Sequence, residues 1–288
     1  MGKVLRVFPR RNNAIPDDDL VWIGPPGFLI PDVDEVHVSC TFTWDLPDAR
    51  MIFDAWAARH PNVKIGGPAL GTIPGEFEPG MYLKQGFVIT SRGCPNKCKN
   101  CFVPRTEGAL RPLLIKDGWN IVDNNLLAND RDHVATVFDM LRCQNHPALF
   151  SGGLDVRYMD DWVIENLVDL RIQMFYIAYD YKGMEPLIER VVGKIKSKTG
   201  WSDGTMRANV GCYILVNFKG DTPDAALQRI KWIQGLGLFP YPMFYRGAEE
   251  YTYTVGSGEW REIKETSFGG GYRPINSSKT FMEMRVHS

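Results

Sequence analysis

The sequence predicts an α/β protein: a parallel sheet curled into a partial, TIM-like (β/α)6 barrel, preceded by a small N-terminal α/β extension. Two observations predict it. From residue 83 onward, six apolar strand-like runs recur, most of them separated by stretches with helical periodicity, an alternation that implies parallel strands. In addition, each of the six runs is followed by polar residues, and a parallel β/α barrel carries its chemistry at the carboxyl ends of its strands.

Residues 1–35 are weakly patterned and punctuated as turns by Pro25-Pro26-Gly27 and Pro31. The alternation of 35–42 reads as a strand. Ala49, Ile52, Phe53, Trp56 and Ala57 recur at helical spacing, with Pro47 suited to a first turn. A short strand, 63–65, ends at Gly66-Gly67-Pro68, so that residues 34–68 form one β-α-β unit. Residues 69–82, with Gly71, Pro74, Gly75, Pro79 and Gly80, read as a linker. The six strands of the core fall at 86–90, 119–123, 147–151, 172–179, 210–216 and 238–244. Helices are expected over 131–143, 160–168, 184–197 and 223–236, and a polar loop over 197–205. Thr222 is placed to cap the last helix and Pro223 to open it. The organisation is thus an extension and linker (1–82), a core (83–246) and an irregular tail (247–288) rich in glycine and aromatics.

Composition suits a globular protein with a sizeable core: 288 residues, 44% hydrophobic. Charge is balanced, with 33 basic and 34 acidic residues, so no global field points to nucleic acid or to a membrane surface. Locally it is not balanced. Six basic residues between Arg92 and Lys116 face one acid, Glu107, which reads either as a solvated loop face or as a docking site for an acidic electron donor or an anionic substrate. No secretory signal and no apolar run of about 18–20 residues is present, so a cytoplasmic location with no membrane span is expected.

The six cysteines are distributed unevenly. Cys94, Cys98 and Cys101 fall at C-x3-C-x2-C within Ser91-Arg-Gly-Cys-Pro-Asn-Lys-Cys-Lys-Asn-Cys-Phe102, too close together for an ordinary disulfide framework. A structural zinc site wants four ligands, and the nearest further candidates, His133 and Cys143, lie far along the chain in a helical pattern. Thiolates ligate iron–sulfur clusters, and three of them leave one iron of a cubane open. Cys40, Cys143 and Cys212 sit in apolar-patterned segments and read as small hydrophobes.

The stretch Thr90-Ser-Arg-Gly-Cys-Pro-Asn-Lys-Cys-Lys-Asn-Cys-Phe102 resembles the cluster motif of the radical S-adenosylmethionine (SAM) superfamily. Its opening, Thr90-Ser-Arg-Gly-Cys-Pro95, is similar to the branch that includes cobalamin-domain-linked members and methylthiotransferases. The resemblance covers about residues 35–246 and is specific at 90–102. It implies a radical SAM barrel in which Cys94, Cys98 and Cys101 hold a [4Fe-4S] cluster and SAM binds the fourth iron. One electron, from a reducing donor such as flavodoxin or ferredoxin, then releases a 5′-deoxyadenosyl radical that abstracts hydrogen from a substrate the sequence does not name. The family places an aromatic residue before the third cysteine, against the adenine; here Asn100 holds that position and Phe102 follows. Asp123-Asn124-Asn125 lies where the family receives the SAM amino group, although a strand-end turn also favours these residues. In Gly152-Gly-Leu-Asp155-Val-Arg157, Arg157 suits either the SAM carboxylate or a pair with Asp155 or Asp160. Asp180 suits either ribose hydroxyls or the lead of a helix. The N-terminal unit resembles a shortened cobalamin-binding-like region, but no D-x-H-x-x-G string occurs, so cobalamin is not implied. Nor is a second cysteine triad present for methylthiolation. The alternative reading is a non-catalytic iron–sulfur or zinc protein, serving as a scaffold or in electron transfer.

Overall fold

The computed structural model describes residues 2–71, 77–245, 260 and 263. Two parallel sheets organise the chain, each over its own hydrophobic cluster.

The first sheet comprises β1 (Val4–Phe8), β2 (Val21–Ile23), β3 (Glu35–Ser39) and β4 (Val63–Gly66), in the order β2-β1-β3-β4. Helix α1 (Leu46–Ala57) connects β3 to β4. The alternation read in β3 buries Val36 and Val38 against Leu5 and Val7 of β1, and the α1 stripe adds Ala49, Ile52 and Trp56. The indole of Trp56 meets its buried hydrogen-bonding need by donating to Gly24 O at 3.1 Å. Strands β1 and β2 were not expected. Arg6 interrupts the apolar run of β1, yet its side chain is buried: the guanidinium donates to the carbonyls of Leu20, Gly80 and Met81 and pairs with Asp18. A charge inside a strand thereby ties this sheet to the linker.

The second sheet comprises β5 (Phe87–Val88), β8 (Asn120–Ile121), β9 (Ala148–Leu154), β10 (Ile172–Tyr179), β11 (Val210–Val216) and β12 (Phe239–Phe244). Between the first two lie a small antiparallel pair, β6 (Ser91–Arg92) and β7 (Arg111–Pro112), and the short helix α2 (Val103–Thr106). Helices α3 (Arg131–Arg142), α4 (Asp161–Asp169), α5 (Glu185–Thr199), α6 (Asp203–Asn209) and α7 (Pro223–Gly235) complete the core. The six strands lie in chain order and pair in parallel throughout. Right-handed crossovers between strands in that order put the helices on one face, and the packing agrees. Phe175, Ile177 and Tyr179 of β10 enter the cluster formed with the helices, while Tyr176 between them packs with Leu149 and Tyr241 on the opposite face.

All four expected helices are present. Asp130, Asp160 and Thr222 cap α3, α4 and α7 with their side chains. The stretch expected as a loop after residue 197 is instead the end of α5, a left-handed Gly200, and α6 capped by Ser202. Strand β9 runs three residues further than its apolar core suggests, because Gly152 lies against the neighbouring strand's exit. A Cβ there would sit 2.5 Å from Asp123 O. No described helix is long and apolar enough to cross a membrane. Of the tail, only Trp260 and Ile263 are described, and Ile263 is buried in the main core; the rest lies outside the described residues, as does Arg246.

Candidate functional site

The three clustered cysteines follow β5 at the carboxyl end of the second sheet. A buried lock holds the base of their loop. Asp123, just past β8 and 2% exposed, accepts three hydrogen bonds: from Thr90 N and Thr90 Oγ1 at 2.6 Å, and from Ser91 Oγ at 2.7 Å. Burial raises its pKa, although these bonds favour the ionised form. His133 and Asn129 extend the network, reaching Thr90 Oγ1 at 3.2 Å and Ser91 Oγ at 2.9 Å. Asn124 Oδ1 accepts from Gly93 N at 2.9 Å. Gly93 has φ +80°, and a Cβ there would lie 2.2 Å from Ala109 O, so only glycine lets the two ends of the loop meet. Beyond this crossing the β6–β7 clasp closes the loop. Glu107, with an almost buried side chain, is shared by Arg92 at 3.1 Å and Arg111 at 3.5 Å.

Above the lock, polar side chains converge on the cysteines. Asn125 Nδ2 donates to Cys94 Sγ and to Asp155 Oδ2, both at 3.3 Å. Arg157 grips Asp155 through Nε at 2.8 Å and Nη2 at 2.6 Å, and the same Nη2 lies 3.5 Å from Cys98 Sγ. The Asp155 bonds raise the pKa of Arg157 further, which keeps it charged. Asn96, inside the cysteine spacing, donates to Asp155 Oδ2 at 2.9 Å and accepts from Tyr158 OH at 3.1 Å. Cys101 and Asp180 complete the group. Burial pushes the Cys101 thiol up, and negative charge on Cys98, Cys94 and Asp180 adds to the effect. The Asp180 carboxyl is also raised, first by burial and then by Asp155, against the pull of Arg157.

The residues read from sequence therefore divide by role. Asp123 and Asn124 secure the loop. Asn125, Asp155 and Arg157 gather beside Cys94 and Cys98, and Asp180 lies within electrostatic reach of Cys101, Asp155 and Arg157. Arg157 pairs with Asp155, the second of the two partnerships its sequence allowed. Asn100 is half-buried in a turn, and Phe102 stacks on Tyr245 with ring centroids 6.0 Å apart. Sequence reasoning missed Asn96, Tyr158 and Glu107; the one signal for Asn96 was its place between two cysteines.

Two buried polar atoms here have no hydrogen-bond partner, Arg92 Nε in the clasp and Asn125 Oδ1 beside the cysteines. Asn125 is 5% exposed, and its Oδ1 is a buried acceptor with no hydrogen bond. Its amide nitrogen faces a sulfur and a carboxylate, which fixes the oxygen on the other side. All six cysteines are free: Cys40 and Cys212 are buried as expected, but Cys143 is exposed at the end of α3. Among the described residues, no three His, Cys, Asp or Glu side chains are drawn together to hold one metal ion. Neither a scan against protein-family models nor a search of curated proteins finds a match to this chain.

Proposed function

We propose that the chain is a radical SAM enzyme built on a partial (β/α)6 barrel, with Cys94, Cys98 and Cys101 ligating a [4Fe-4S] cluster. The observation that carries this reading is the meeting of three unbridged thiols with an orphaned buried acceptor, Asn125 Oδ1, at the strand exits of a parallel sheet. Buried acceptors in native proteins are nearly always satisfied, so an unpaired one beside a ligand loop suits a donor brought by a ligand, such as the ammonium of SAM. The loop after the first strand reaches across the strand exits, with Cys98 beside Arg157 past β9 and Phe102 stacked on Tyr245 past β12, as a site at the mouth of a barrel would require.

The donor set fits the cluster. The chain supplies three thiols on one loop, with N–H donors aimed at two of the sulfurs; such outer bonds orient and tune metal-bound thiolates. A cubane assigns a different iron to each thiolate, whereas a single zinc ion requires all its ligands to converge on one point. When bound, the cluster supplies the electron that cleaves SAM to methionine and a 5′-deoxyadenosyl radical. The chain's own residues hold and shield. Asn125 Oδ1 takes a donor, Arg157 stays charged beside Cys98, and Asp123 fixes the loop from below.

Anaerobic reconstitution with iron and sulfide, reduction, and addition of SAM should yield 5′-deoxyadenosine. Cys98→Ala should abolish both the iron–sulfur absorbance and the product. A chromophore that ignores SAM would overturn the enzyme reading in favour of an electron-transfer or scaffold role.

A further inference from the structure

Exposure alternates along the cysteine loop. Residues 94, 96, 98 and 100 are half-buried, while 95, 97 and 99 are exposed. The ligand side of the loop thus faces inward, and Lys97 and Lys99, on either side of Cys98, face out. Arg105, on α2 just past Cys101, is exposed as well. The other basic residues of the stretch are ion-paired: Arg92 and Arg111 share Glu107, and Lys116 pairs with Glu78. Lys97, Lys99 and Arg105 carry no ion pair among the described residues. On the helix side, by contrast, Lys194, Lys196 and Lys198 are each matched to a carboxylate. Two more exposed lysines without an ion pair, Lys182 and Lys219, follow β10 and β11 at the same end of the sheet. Of the described carboxylates at this end, Asp155 is engaged by Arg157, Asp221 by Arg229 and Glu185 by Tyr179, while Asp132 and Asp224 stand exposed in the first turns of α3 and α7, away from the cysteine loop in sequence.

We infer that the outer face of the cysteine loop, centred on Lys97, Lys99 and Arg105, is the docking surface for an acidic one-electron donor protein. This rests on the cluster reading above. A small anionic substrate would be drawn into the mouth, toward the inward-facing side chains. Charges directed outward over the ligand loop instead steer a large partner by field and orientation. They also bring it to the side of the loop where only the ligand segment separates it from the cysteine sulfurs.

The test uses the full reconstituted chain and an acidic flavodoxin, with binding titrated between roughly 50 and 200 mM salt. Dithionite bleaching of the iron–sulfur absorbance is followed separately. K97E/K99E/R105E should weaken flavodoxin binding at least about tenfold at low salt, and high salt should remove most of the difference. Dithionite should bleach variant and wild type alike. R105E alone, outside the cysteine spacing, should lose about threefold in affinity with its chromophore intact. Equal flavodoxin affinity in all three proteins, or wild-type binding indifferent to salt, overturns the docking surface. If flavodoxin affinity is unchanged while the triple variant alone loses pyrophosphate binding, the patch is a small-anion site and the docking inference fails. If no protein gives an absorbance that dithionite bleaches, the cluster reading fails instead, and the binding titration still decides the surface.

Discussion

Replacing Asp123 with alanine removes the acceptor for three buried hydrogen bonds at once. Of the two hydroxyls, only that of Thr90 has another acceptor in reach, His133 Nε2; Ser91 Oγ already accepts from Asn129 Nδ2, which has no lone pair to offer its proton. The Ser91 O–H and the Thr90 backbone N–H therefore lose their acceptor, and both residues are fully buried. An unsatisfied buried donor costs about 1–3 kcal/mol, and bonds to a charged acceptor are worth about 1.5–3 kcal/mol. Relief from burying a carboxylate offsets part of this. The expected net loss is roughly 2–4 kcal/mol, a large share of the ~5–15 kcal/mol that holds a native protein. Urea denaturation followed by tryptophan fluorescence should show a lower midpoint with an unchanged slope. Because Thr90 and Ser91 lead directly into the cysteine loop, iron retained per folded molecule after reconstitution should fall as well if the loop holds the proposed cluster. A midpoint shift worth less than about 0.5 kcal/mol, with full iron content, would refute the lock.

Asp123→Asn should change the pH profile rather than the fold. The folded carboxyl is raised above its unfolded value by burial, so its contribution to stability is full below the unfolded pKa and is lost as pH rises through the folded one. In denaturation series across that window the variant should gain on the wild type as pH rises; parallel profiles would contradict the assigned shift. Gly152→Ala should destabilise by at least about 2 kcal/mol, because its Cβ meets backbone at Asp123 O rather than a side chain that can move; a neutral thermal melt would count against the packing of β9 on the β8 exit. Arg229→Met leaves Asp221, whose side chain is 1% exposed, without its bidentate partner. The expected cost is about 3–5 kcal/mol, checked by calorimetry.

The second sheet was legible in the sequence because its strands are apolar and its helices carry clean stripes and caps. Val134, Val137, Phe138 and Leu141 of α3 all reached the core that their spacing predicted. Strand β1 was not legible, because Arg6 interrupts its apolar run and is satisfied through tertiary contacts, by Asp18 and the Leu20 carbonyl and by carbonyls 74 and 75 residues further along the chain. The ends of β5 and β8 were overestimated for a related reason. Their last apolar and polar residues leave the ladder to build the Asp123 lock, which gives Thr90 and Ser91 a better acceptor than a neighbouring strand would. At the site, the cysteines announced themselves by spacing alone. Asn96, Tyr158 and Glu107 did not, since their partners Asp155 and Arg92 are brought near by topology or by a turn rather than by any pattern in the letters.

The β6–β7 clasp closes the cysteine loop into a ring through protein contacts. Its ends are pinned by Gly93 beneath Ala109 and by Glu107 between two arginines. The entropy of bringing those ends together is therefore met by protein contacts, so the proposed cluster would not have to supply it. In small metal-dependent domains, stripping the metal unfolds the chain. If the loop holds the proposed cluster, its loading and the folding of the sheet would be nearly separate equilibria, and a chelator should then empty the loop and leave the melting of the core almost where it was.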